Sequence, residues 1–210
     1  MRFEAREAAL VLIDLQRGFV DDDGFVAVQG RDVSASRRAA DRCVALARAA
    51  RAGGMKVIWT RHVLRADYAD GGLLVTEIRP RLGELGALKR GTPDIELYGG
   101  AEVDPSDIIV DKPRYSAFFG TDLDVILAAN GIRSLVIGGV TTSMCVETTA
   151  RDAAQRDIRT FVVREAVADF DQARHDASLS AIAFGFGRVV GIDAMTAAIA
   201  GGTADFPIGG

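Results

Sequence analysis

Histidine and cysteine are scarce in this 210-residue sequence, with two of each, and tryptophan occurs once. Cys43 and Cys145 stand far apart, so they form neither a disulfide framework nor a Cys-x-x-Cys motif. With His62 and His175 the only histidines, a Cys–His catalytic pair has little support. No cluster of His, Cys and carboxylates has zinc-site spacing, so no metal is expected. Gly138-Gly139 fits neither a GxGxxG nor a P-loop pattern, so no nucleotide cofactor is expected. No apolar stretch reaches the roughly 18 residues that a bilayer demands. The opening MRFEAREAALVLID has charge at both ends of a short apolar run and no small-residue cleavage site. It reads as a strand rather than a signal peptide. The basic residues are dispersed, and the net charge is −4, which argues against a nucleic-acid or anionic-membrane partner. These absences leave a small molecule as the expected partner and a reducing cytoplasm as the expected location.

What is present is a rhythm. Short apolar runs occur at Ala8–Asp14, Lys56–Thr60, Asp107–Asp111, Ser134–Gly139, Arg159–Arg164 and, more weakly, Arg188–Gly191. Each is nearly continuous in apolar residues, as strands buried on both faces of a parallel sheet should be. Segments of helical period separate them, about Val33–Ala52, Asp122–Asn130, Ser143–Arg156, Gln172–Phe186 and Ala194–Ala200. Gly53-Gly54 and Asn130-Gly131 stand where helices should stop. The alternation predicts a doubly wound, three-layer α/β/α sandwich on a six-stranded, mainly parallel sheet. One domain over residues 1–200 is expected, with Gly201–Gly210 as a loose Gly-rich tail. The long connection Arg61–Ser106 breaks the rhythm, and such a length in a compact domain suits a lid, a substrate loop or a subunit contact.

In such folds the site lies at the carboxyl ends of the strands. Asp14 ends the first run. Lys112 follows the third, biased toward extended backbone by Pro113 and accompanied by Tyr115, Phe118 and Phe119. Each alone has an ordinary explanation, a turn-capping carboxylate and a solvated ammonium. Cys145 follows the fourth run, where Gly138-Gly139 permits a tight turn and Thr142 or Ser143 can cap a helix. With Thr142 as cap, Cys145 falls in the first helical turn, where the helix dipole lowers a thiol pKa. The N–H groups of Thr141 and Cys145 can then form an oxyanion site. Cys43, at helical spacing from Ala39 and Ala50, reads as core. A base, a cation and a thiol on three strand ends are what a cysteine hydrolase needs.

The segments LVLIDLQRGF, IIVDKPRYSAFFGTDLD and LVIGGVTTSMCVETTARDA resemble those of the isochorismatase-like cysteine hydrolase superfamily, in its order and at about its spacing. The resemblance implies an Asp14–Lys112–Cys145 triad acting through a thioester, a cis peptide at Val140-Thr141, and assembly as a dimer or tetramer. The segment WTRHVLRADYADGG lacks the Asp-x-His metal motif of nicotinamidases. True isochorismatases cleave a vinyl ether and lack the cysteine, so Cys145 favours amide chemistry. PRYSAFFGT and CVETTARDA are most similar to the branch acting on ureido and carbamoyl compounds, such as ureidoacrylate, biuret and N-carbamoylsarcosine. The expected activity is therefore cleavage of a small carbamoyl, ureido or carboxamide C–N bond. Phe19, His62, Arg65, Tyr115 and Phe119 are the expected substrate contacts, with an arginine of the long loop suited to a substrate carboxylate. Vinyl-ether hydrolysis and a reactive-thiol sensor are the competing readings.

Overall fold

The computed structural model describes residues 1–207. Its strands are β1 (Arg2–Glu4), β2 (Ala8–Ile13), β3 (Lys56–His62), β4 (Ile108–Lys112), β5 (Ser134–Val140), β6 (Arg159–Ala168), β7 (Arg188–Val190) and β8 (Thr203–Asp205). Its α-helices are α1 (Arg17–Val20), α2 (Ser34–Ala52), α3 (Arg81–Glu84), α4 (Leu123–Ala129), α5 (Glu147–Ala154), α6 (Gln172–Gly185) and α7 (Ile192–Gly201). Six strands form one sheet in the order β4-β3-β2-β5-β6-β7, every neighbouring pair parallel. The chain runs outward from β2 through β3 to β4, then returns to β5 on the other side of β2. The switch point, where ligands bind in open α/β sheets, lies between β2 and β5.

Alternation along the strands builds the two faces. Leu10 and Leu12 of β2 join Trp59, Val136 and Phe161 in one buried cluster with Cys43, Leu46 and Ala47 of α2. Val11 and Ile13 join Ile137 and Val162 in the opposite cluster, beneath Leu127 of α4, Ala150 of α5 and Ile182 of α6. This is the three-layer arrangement that the buried runs imply. Cys43 is fully buried and its thiol donates to the Ala166 carbonyl at 3.1 Å. Gly139 sits where β2 and β5 part, with φ 119°, and a Cβ there would lie 2.1 Å from the Ile13 carbonyl oxygen. Only glycine fits so close an approach.

The end of the chain and the length of strand β6 differ from the sequence expectation. The end of the chain is not loose as far as the description reaches, because β8 pairs antiparallel with β1. Residues 208–210 of the expected tail lie outside the described residues. Strand β6 runs on to Ala168, past an irregularity in its pairing with β5, where Arg164 and Glu165 turn outward. There the Glu165 carboxylate accepts the Ile192 N–H at 2.8 Å and caps α7.

Candidate active site

Three strand ends converge at the switch point. Asp14 follows β2 with φ 51°, a left-handed turn that takes it out of the strand. Its N–H still bonds the Thr60 carbonyl of β3 at 3.2 Å, and its Oδ1 accepts the Thr60 hydroxyl at 2.7 Å. Lys112 is the last residue of β4, opposite His62 in the register with β3. Gln16 extends β3 beyond the end of β2: its Oε1 accepts the His62 N–H at 2.5 Å and its Nε2 donates to the His62 carbonyl at 3.1 Å. A side-chain amide thus stands in for a neighbouring strand's peptide.

Lys112 joins the acid to the thiol. Its Nζ lies 2.7 Å from Asp14 Oδ2, donates to Cys145 Sγ at 3.3 Å, and donates to the Arg114 carbonyl at 3.0 Å. Asp14 and Lys112 are both fully buried. The Oδ2–Nζ contact is close but not aligned as a hydrogen bond, so Oδ2 keeps an open lone pair. A buried ion pair is poor evidence for stability, because desolvation offsets its attraction. Its presence beside a thiol at the ligand-binding edge is better explained by chemistry.

The electrostatics correct the expected low-pKa thiol. Burial pushes the Cys145 thiol up from its usual value, and the ammonium of Lys112 only partly opposes it. The turn carrying the thiol is a single π turn, Thr142–Val146, leading into α5. Thr142 does not cap it. Asp169, just beyond β6, accepts the Ser143 N–H at 2.9 Å and the Ser143 hydroxyl at 2.6 Å. Thr142 Oγ1 instead meets His175 Nδ1 at 2.9 Å. The Val140–Thr141 peptide that enters the turn is cis. For Lys112, burial favours the neutral form, but Asp14 and Cys145 together outweigh it and hold the ammonium's pKa above normal.

His62 is buried and neutral. Burial, with Lys112 adding to it, pulls its pKa down to about 3. The unfolded chain instead gains a proton near pH 6.5. Acid therefore favours unfolding, by ~1.4 kcal/mol per pH unit between those two values. Lowering the pH from 7 to 5 is expected to cost the wild type about 2 kcal/mol through this group. Urea melts of wild type and His62→Asn check this; equal losses in the two proteins contradict it.

Asp14, His62 and Cys145 offer one ligand atom each within 4.8 Å of one another, the spacing of a metal site. The set does not suit a cation. The Lys112 ammonium already contacts two of the three groups in a buried setting, where a second positive charge meets strong repulsion.

The thiol opens on a cavity of about 160 Å³, small beside those that hold drug-sized ligands. Of the expected contacts, Phe19, His62 and Tyr115 line it, together with Thr141 and Cys145. Arg65 and Phe119 do not. Arg65 is drawn into a local ion pair with Asp67 at 3.0 Å, and Phe119 faces solvent with 60% of its surface exposed. Part of the long connection lines this cavity: it supplies Leu74, Arg79, Leu82 and Leu88 to the wall. Gln29, Arg31, Ser143, Asp169 and Arg174 add polar groups to the lining and were not anticipated as substrate contacts. The rule that found Asp14, a carboxylate just past a strand end, does not reach Asp169 from the sequence, because the apolar run stops at Arg164 whereas β6 continues to Ala168.

The isochorismatase domain model matches residues 8–194. The chain belongs to the isochorismatase family. Among its relatives in that family is the ureidoacrylate amidohydrolase RutB of Methylorubrum extorquens, 33% identical over 94% of this chain and 84% of its own. RutB of Klebsiella pneumoniae is 36% identical over 72% of this chain and 69% of its own. A crystal structure of a cysteine hydrolase from Pseudomonas syringae superposes with a TM-score of 0.88 at 28% identity, covering 95% of each chain. The six-stranded sheet and its flanking helices are those of the isochorismatase-like hydrolases.

Proposed function

We propose that this protein hydrolyses a C–N bond of a small carbamoyl, ureido or carboxamide compound through a thioester on Cys145. The observation that carries the reading is the buried Lys112 ammonium set between Asp14 and Cys145, at 2.7 and 3.3 Å, beside a small cavity. The activity named for the RutB relatives supports it.

In this mechanism the resting thiol is protonated, as its burial implies. The open lone pair of Asp14 Oδ2 takes the proton as Sγ attacks the carbonyl carbon. The N–H groups of Thr141 and Cys145 hold the oxyanion. The tetrahedral adduct then collapses, the C–N bond breaks, and Asp14 returns the proton to the departing nitrogen. Water, activated by the same carboxylate, cleaves the thioester and restores the thiol. Lys112 steadies Asp14 and the developing thiolate throughout. His62 Nε2 is buried and unpartnered. A neutral His62 with its proton on Nδ1 offers that Nε2 lone pair to a substrate N–H.

The test is ammonia release across ureido acids, carbamoyl amino acids, biuret, nicotinamide and maleamate. Release from one of these groups that disappears in Asp14→Asn is the expected outcome. Silence across the whole panel overturns the proposal.

A further inference from the structure

Ser143 is the second residue of the turn that carries Cys145, Thr142–Val146. At the entry to that turn the Thr141 carbonyl accepts the Met144 and Val146 N–H groups, each at 3.2 Å. The Ser143 N–H goes elsewhere, to Asp169 Oδ2 at 2.9 Å, and the Ser143 hydroxyl donates to the same oxygen at 2.6 Å. Asp169 reaches the turn because the irregular pairing of β6 with β5 carries the strand on until Ala168 lies opposite Val140. Asp169 therefore leaves β6 beside the start of the turn. Its other oxygen, Oδ1, accepts the Phe170 N–H at 2.8 Å and faces Arg174 Nη2 at 3.3 Å. Four donors converge on a side chain that is only 2% exposed, and an acceptor-only carboxylate satisfies them all. The Thr141 N–H bonds no backbone carbonyl among the described residues, and Thr141 lines the cavity with Cys145.

Resting on the hydrolase reading above, we infer that Asp169 is a positioning residue: by holding Ser143 it fixes the turn so that the Thr141 and Cys145 N–H groups meet the oxyanion. Ser143 lies between these two donors in the chain, so a turn released at Ser143 can rotate both. An oxyanion site works only when its donors already stand where the charge develops. A carboxylate on the cavity wall would by itself repel that charge. Here it is enclosed by donors, and the Arg174 guanidinium offsets it. The Thr142 hydroxyl, 2.9 Å from His175 Nδ1, gives the same turn a second tie to α6. Loss of Asp169 should therefore loosen the turn without releasing it.

Steady-state ammonia release is compared in wild type, Asp169→Ala, Asp169→Asn, Ser143→Ala and the double variant Asp169→Ala/Ser143→Ala, each beside a thermal melt. Asp169→Ala is expected to lower kcat by about 10²-fold, the scale of a small misplacement at a reacting centre. KM should stay within about twofold of wild type, because the lost interaction belongs to the transition state. Asp169→Asn keeps one oxygen for both Ser143 donors and is expected to recover most of the loss. Ser143→Ala removes one hydrogen bond and should cost kcat about threefold to tenfold. The double variant should match Asp169→Ala, since both changes act through one set of bonds. Wild-type kcat in Asp169→Ala, additive losses, or a raised KM at unchanged kcat overturns the inference. If Asp169→Ala fails to fold, Ser143→Ala decides: lowered kcat at constant KM sustains the inference, and unchanged kcat overturns it. Hydrogen exchange across residues 141–146 needs no substrate. It is expected to quicken in Asp169→Ala there and at Phe170, and unchanged exchange overturns the inference whether or not the wild type turns over. A wild type that releases no ammonia counts against the hydrolase reading alone.

Discussion

Replacing Cys145 by alanine is expected to lower kcat by at least about 10⁴-fold, the scale on which loss of a nucleophile acts in covalent hydrolases. The fold should survive. Cys145 is buried, but it sits in a turn held from outside by Asp169 through Ser143, and those bonds do not involve the thiol. Removing sulfur from a small buried side chain costs about 1 kcal/mol, well within the stability of a domain this size. The check is steady-state turnover beside a thermal melt. Retained turnover with an unchanged melt would leave Asp14 acting without a covalent step.

A second large effect belongs to Lys112. Changing it to methionine keeps much of the side chain's volume but leaves the Asp14 carboxylate buried without its partner. Breaking a buried pair from one side costs about 3–5 kcal/mol. Activity is expected to fall by about 10²–10³-fold as the thiolate and carboxylate lose their shared cation. The double variant Lys112→Met/Asp14→Asn removes the orphaned charge and should recover most of the stability while staying inactive. Urea denaturation of the two singles and the double measures the coupling. Additive losses would mean that the 2.7 Å contact contributes little to how Asp14 tolerates burial.

The three chemical groups were legible because each stands where a continuous apolar run stops, and strand ends in a parallel sheet share one edge. Phe19 and Tyr115 lie near those ends and followed from the same logic. Other features left no local signal. Strands β1 and β8 are three residues each and exist only through pairing between opposite ends of the chain. Strand β3 continues through Arg61 and His62, which break the apolar run but are held by β4 and by Gln16. The expected low thiol pKa followed from a regular helix beginning at Thr142. The chain forms a π turn instead, and full burial then outweighs Lys112. Arg65 and Arg79 occupy the same loop with similar composition around them. Arg65 pairs with Asp67 two residues away, whereas Arg79, with Glu77 equally close in sequence, forms no ion pair among the described residues and lines the cavity. Choices of that kind depend on the folded loop, not on the pattern of residue types.

The proposed reaction forms a covalent bond between substrate carbon and Cys145 Sγ. Enzyme turning over its best ureido or amide substrate is quenched in acid within one turnover, digested, and examined by mass spectrometry. An acyl or carbamoyl adduct is expected on the peptide bearing Cys145, lost when substrate is exhausted and absent in Cys145→Ala. An unmodified Cys145 peptide throughout the steady state, with Cys145→Ala still releasing ammonia at the wild-type rate, would contradict it.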